Sequence, residues 1–191
     1  MFRLICILSL LIFSSKLYAE ENEKFYNNPG EYYFWLSLGV GEGTNFDSEY
    51  AWLAGGIMPS LQYKNNMFNI RQSVLFEFMM EGPTPDQYII DTSFLFGRCI
   101  KSHYYYISLS TGPGFIRGVE RGKFLGDPGV ESYEHEELPF KTIGVSLDLQ
   151  LFIITPIIGF GGYLFYNINT EQSYFSLLVC LQFGHILSFS K

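Results

Sequence analysis

Basic charge is scarce in this chain. Twelve lysines and arginines stand against 19 acids in 191 residues, and charged residues of both signs make up only 16%. A net charge of −7 gives no electrostatic footprint for nucleic acid, which is excluded as an expected partner. Cysteine is scarcer still: Cys6, Cys99 and Cys180 are too few for a disulfide framework. Histidine is confined to His103, His135 and His185. An uninterrupted transmembrane helix is also missing. The apolar run at 4–13 is shorter than the roughly 20 residues a spanning helix needs. The run at 149–166 is long enough, but Pro156, Gly159, Gly161 and Gly162 interrupt it. Proline costs about 3 kcal/mol inside a helix and glycine about 1, so two strands joined at Thr155-Pro156 account for it better.

What is present is period-two patterning. Tyr32, Phe34, Leu36, Leu38 and Val40 alternate with Tyr33, Trp35, Ser37, Gly39 and Gly41. Ile143, Val145, Leu147, Leu149 and Leu151 alternate with Thr142, Gly144, Ser146, Asp148 and Gln150. Phe175, Leu177, Val179, Leu181 and Phe183 alternate with Ser176, Leu178, Cys180, Gln182 and Gly184. Successive side chains leave a strand on opposite faces, so each segment is a strand with one greasy face. The other face decides the class. It carries Ser, Gly, Ala, Thr and Tyr with few charges, which makes a poor water-facing exterior but suits a crowded interior. The greasy face therefore belongs outside, against lipid, as in a transmembrane β-barrel.

The N-terminus agrees with export. A basic start at 1–3, the apolar run and a polar exit to Ala19 predict a signal peptide at 1–19 and a barrel domain at 20–191. Cys6, Arg3 and Lys16 leave with the leader, so the remainder is more acidic still.

Eight strands are expected, at 31–41, 50–63, 67–80, 87–99, 103–112, 140–154, 156–168 and 173–185. Connections alternate in length: Lys64-Asn65-Asn66, Lys101-Ser102 and Thr155-Pro156 are very short, whereas 41–49, 81–86 and 113–139 are longer, and 169–172 is intermediate. Outer-membrane barrels show this asymmetry, with short periplasmic turns and long extracellular loops. The fold class is all-β, an eight-stranded antiparallel up-and-down transmembrane β-barrel. Leader, eight strands and a last strand with Phe183 and Phe189 outward resemble the small outer-membrane barrels of the OmpA/OmpX type. The segments GPGFIRGVERGKFL, TIGVSLDLQLFIITPIIGFGGYLFYNIN and CLQFGHI also resemble exported barrel proteins of Bacteroidota. The resemblance implies insertion by the barrel-assembly machinery. Such barrels usually end on an aromatic residue, whereas Ser190 and Lys191 follow Phe189 here.

Catalytic residues, cofactors and metal ligands are not expected. His103 and His185 fall at the short-turn end, and His135 in the 113–139 loop has no defined nucleophile beside it. Asp127, Glu131, Glu134, His135, Glu136 and Glu137 form an acidic stretch that matches no metal loop and reads as a solvated face. Cys99 and Cys180 face inward on opposite strands and should stay unbridged. Tyr105 belongs to an aromatic girdle, with Tyr104 and Tyr106 filling the lumen. Trp35, Trp52, Leu75, Leu95 and Tyr163 also point inward, and an eight-stranded barrel is only wide enough for its own side chains. Four charged residues share that interior: Arg71, Glu77, Asp91 and Asp148. Arg71 is expected beside Asp148, and Glu77 opposite Asp91 near the long-loop end. Arg117, Arg121 and Lys123 are expected to clamp that acidic pair.

The sequence thus points to a non-enzymatic, monomeric barrel in the outer membrane of a Gram-negative bacterium. Its lumen is filled, and its outer loops meet outer-membrane lipid, lipopolysaccharide or other surfaces. An outer-membrane lipid-modifying enzyme and a soluble lipocalin-like periplasmic carrier are the alternatives.

Overall fold

A computed structural model describes residues 32–45, 52–77, 85–102, 104–126 and 134–186. The predicted leader, His103 and Phe189 lie outside these residues, as do Asp127 and Glu131 of the acidic stretch. Among the described residues, eight strands form one closed antiparallel barrel: β1 (Tyr32–Asn45), β2 (Trp52–Tyr63), β3 (Asn66–Glu77), β4 (Tyr88–Lys101), β5 (Tyr105–Gly126), β6 (Glu134–Ile154), β7 (Ile158–Ile168) and β8 (Tyr174–His185). Each strand pairs with its sequence neighbour, and β1 closes on β8 with Gly39 opposite Cys180. Closure leaves no bare strand edge around the wall. The run at 149–166 forms the end of β6, a turn and most of β7.

The alternation places the residues as the pattern requires. Phe34, Leu38, Val40, Ile143, Val145, Leu151, Leu177 and Val179 are exposed on the outside. Trp35, Trp52, Leu75, Leu95 and Tyr163 are buried within. Outward aromatic rings meet across strands, with Phe68 5.0 Å from Phe96 and Phe94 6.3 Å from Phe115. A polar pair within this greasy band satisfies itself: Thr92 Oγ1 donates to Gln72 Oε1 at 2.6 Å. At the short-turn rim Tyr32 stacks on Tyr63 at 4.8 Å, and Tyr105, on the far side of the barrel at the same rim, stands exposed in the girdle position. Tyr106 is fully buried, but Tyr104 is 69% exposed and does not fill the lumen. It lies in the turn before β5, where its carbonyl accepts from the Ile154 amide, and the alternation starts only after it.

The largest departure from the sequence-based expectation is the stretch at 113–139. It is not a loop over most of its length. β5 runs on to Gly126 and β6 begins at Glu134, pairing as a two-stranded ribbon with register shifts between Arg121 and Gly126. β4 accompanies β5 only to Val119, and β7 accompanies β6 only from Val145. Seven residues of β5 thus stand clear of β4, about 23 Å of strand.

Candidate functional site

Inward side chains stack in tiers along the barrel axis, and the tiers follow from strand parity. At the short-turn end Lys101 continues the inward parity of Cys99. Its Nζ donates to Gln62 Oε1 at 3.1 Å and to the Ile186 carbonyl, and sits 3.9 Å from the centre of the Tyr33 ring. Above it, Tyr106 donates to Gln150 Oε1 at 3.0 Å and accepts from Gln182 Nε2, which also reaches Ser37 Oγ at 3.0 Å. Tyr106 stacks on Phe152 at 5.3 Å and tilts against Trp35 at 5.5 Å.

The third tier centres on Arg71. One guanidinium nitrogen donates to Asp148 Oδ1, the other to Asp91 Oδ2, and all three side chains are fully buried. The second nitrogen also reaches Ser146 Oγ at 2.9 Å and Ser93 Oγ at 3.0 Å. Tyr163 donates to Asp148 Oδ2, Tyr174 to Asp91 Oδ2, and Ser93 to Asp91 Oδ1 at 2.6 Å. The cation lies 4.2 Å from the centre of the Phe165 ring. With both aspartates ionised the group carries one net negative charge. Its donors converge on carboxylates from β4 and β6, so one cation ties three strands together.

Glu77 does not meet Asp91. The β3–β4 register sets Asp91 opposite Ser73, four residues from Glu77, or about 13 Å along the strand. Asp91 is drawn to Arg71, and Glu77 forms a separate tier at the long-loop end. There Arg121 grips both Glu77 oxygens, with Nη1 3.0 Å from Oε1, while its Nε donates to the Pro85 carbonyl at 2.9 Å. Both partners are nearly buried. Arg117 and Lys123 take no part in a clamp on Glu77 and Asp91: both are exposed. Arg117 belongs to the outward parity of β5, directly across from Lys141 of β6. Lys101 lies two residues beyond the strand end expected at 99, outside the expected charged cluster. Extending the alternation by two residues is the signal that finds it.

His135 lies on β6 with its ring 5.4 Å from that of Phe124. Among the described residues, no three His, Cys, Asp or Glu side chains are grouped to hold a metal ion. Cys99 and Cys180 are buried free thiols on β4 and β8. The soluble carrier requires the Phe and Leu face to turn inward, and the structure turns it outward.

No protein-family model matches the chain, and no curated protein matches it. Solved structures do. The crystal structure of Neisserial surface protein A is similar at a TM-score of 0.58 and 10% identity, over 80% of this chain and 96% of that one. Ail, the attachment invasion locus protein of Yersinia pestis, is similar at 0.53 and 7% identity, over 80% and 97%. Its complex with the heparin analogue sucrose octasulfate is similar at 0.54 and 9% identity, over 81% and 99%. At such identities the likeness is one of backbone alone. The chain therefore shares the closed eight-stranded barrel of small outer-membrane proteins.

Proposed function

We propose that this protein is a non-enzymatic barrel of the outer membrane of a Gram-negative bacterium, exported by a cleaved leader, closed to diffusion by its own side chains, and active at its long-loop end. The single observation that carries this reading is the opposition of two faces. Apolar side chains stand exposed around the barrel, while a charged and hydrogen-bonded core runs down its axis. Lipid accepts the first face, and an interior only wide enough for side chains accepts the second. The pairing of β5 and β6 beyond the barrel wall supports a working surface on these two strands, facing outside the cell towards lipopolysaccharide and other surfaces. Surface contact is favoured over catalysis by the packing of His135 against the ring of Phe124. Kinship with exported barrels of Bacteroidota rests on the three segments named above. The barrel-assembly machinery is the partner expected during biogenesis, and a monomer the mature state.

Three readouts test this reading. The protein should fractionate with the outer membrane, lose the 120–138 region to protease added to intact cells, and give no steady conductance in planar bilayers. Recovery in the soluble periplasm, or a stable open channel, would overturn it.

A further inference from the structure

The outward face of β5 and β6 carries an arrangement that neither the lumen nor the ribbon explains. Arg117 and Lys141 are directly opposed across the two strands, and both are exposed. Directly opposed residues have Cα atoms about 5 Å apart, and like charges so placed repel. No described residue gives either cation an ion pair or a hydrogen bond, although acids outnumber bases in the chain. Below them the same face turns apolar. Phe115 is 50% exposed and Ile143 65%, and with the two cations and Thr142 they border a shallow groove of about 300 Å³.

Height fixes what can reach this groove. On β4, Arg98 is exposed near the short-turn end, and Ile90, eight residues on, lies opposite Arg117. Eight residues of a strand tilted by about 40° rise roughly 20 Å, close to the approximately 25 Å apolar band of outer-membrane barrels. Arg117 and Lys141 therefore sit where the hydrocarbon of the outer leaflet gives way to headgroups.

We propose that Arg117 and Lys141 hold a phosphomonoester of an outer-leaflet glycolipid, with its acyl chains laid over Phe115 and Ile143. A phosphomonoester carries nearly two negative charges and three acceptor oxygens, which suits two adjacent cations. The phosphodiester of an ordinary phospholipid carries one charge and leaves part of the repulsion in place. Arginine adds a planar fork of donors that fits phosphate oxygens, and lysine adds a point charge. The site rests on the outer-membrane reading above, but uses neither the ribbon tip nor the lumen.

The test is native mass spectrometry of the refolded full chain, titrated separately with bis-phosphorylated lipid A, dephosphorylated lipid A, phosphatidylglycerol and inorganic phosphate. Bis-phosphorylated lipid A should bind best. Arg117→Gln/Lys141→Gln should weaken it about 25-fold, roughly fivefold for each basic group near a lipid surface. Lys123→Gln should change nothing. Each single variant should lose about fivefold, so the site stays testable if the double variant does not fold. Equal binding of phosphatidylglycerol or of inorganic phosphate would overturn the choice of ligand, and unchanged affinity in the double variant would overturn the site. A wild-type chain that fails to fold in detergent or vesicles would instead count against the membrane barrel itself.

Discussion

Removing the one cation that two buried aspartates share is the most informative perturbation of the lumen. Arg71→Met keeps much of the volume but leaves Asp91 and Asp148 with only hydroxyl donors from Tyr174, Ser93 and Tyr163. Breaking a buried ion pair by deleting one partner costs about 3–5 kcal/mol, because the remaining charge is uncompensated. Two charges are stranded here, so the upper part of that range is expected. With a urea slope of about 2 kcal/mol/M, the unfolding midpoint should fall by roughly 2 M. The reverse deletion should behave differently. Asp148→Asn leaves Arg71 paired with Asp91, removes the net negative charge of the group, and keeps an acceptor for Tyr163. Its cost should stay below about 1 kcal/mol, the scale of one ordinary hydrogen bond. Arg71→Met/Asp91→Asn/Asp148→Asn should recover most of the loss, since residues in one network do not add. Urea unfolding in lipid vesicles, followed by tryptophan fluorescence and by the mobility difference between boiled and unboiled samples, reads all three. Near-wild-type stability of Arg71→Met, or a triple variant no better than the single, would refute the shared-cation argument.

Other consequences follow from particular contacts. Glu77→Gln removes the anion that Arg121 grips with both nitrogens, so proteinase K should cut the ribbon at 120–138 several-fold faster, with the barrel fragment unchanged. A Cβ on Gly39 would lie 2.3 Å from Cys180 Sγ across the closing seam. Gly39→Ala should therefore cost about 1–3 kcal/mol by overpacking, and Cys180→Ala should relieve it; absence of that rescue in a double-mutant cycle would put the β1–β8 register in error. Cys99 and Cys180 lie on opposite strands of the eight. Alkylation without reductant should label both only after unfolding, and a Cys99–Cys180 bridge in mass spectra would contradict the strand order.

The wall of the barrel was legible in the sequence because lipid outside and side chains inside impose opposite demands on successive residues. Trp35 and Val40, or Asp148 and Leu149, could be assigned to faces by parity alone. The ribbon was not legible for the same reason. Beyond the barrel wall the two faces no longer differ in polarity, so Glu120, Arg121, Lys123, Glu136 and Glu137 read as loop, and only backbone pairing between β5 and β6 shows this stretch to be strand. The expected meeting of Glu77 and Asp91 assumed a hairpin symmetric about residues 81–86. The actual register sets Phe76 opposite Tyr88, which pivots the hairpin two residues earlier and sends Asp91 down to Arg71. Parity is local and survives such a shift of four; the identity of a charge's partner is set by register and does not.

Nitroxide labels placed one at a time from 145 to 151 on β6, in the chain refolded into vesicles, test the central claim most directly. Collision with lipid-soluble oxygen and with a water-soluble nickel complex reports what each position touches. Oxygen accessibility should alternate with period two, high at Val145, Leu147, Leu149 and Leu151 and low at Ser146, Asp148 and Gln150, with the nickel complex excluded throughout. Oxygen accessibility that peaks at Ser146, Asp148 and Gln150, or nickel reaching the leucine positions, would show that the greasy face does not meet lipid.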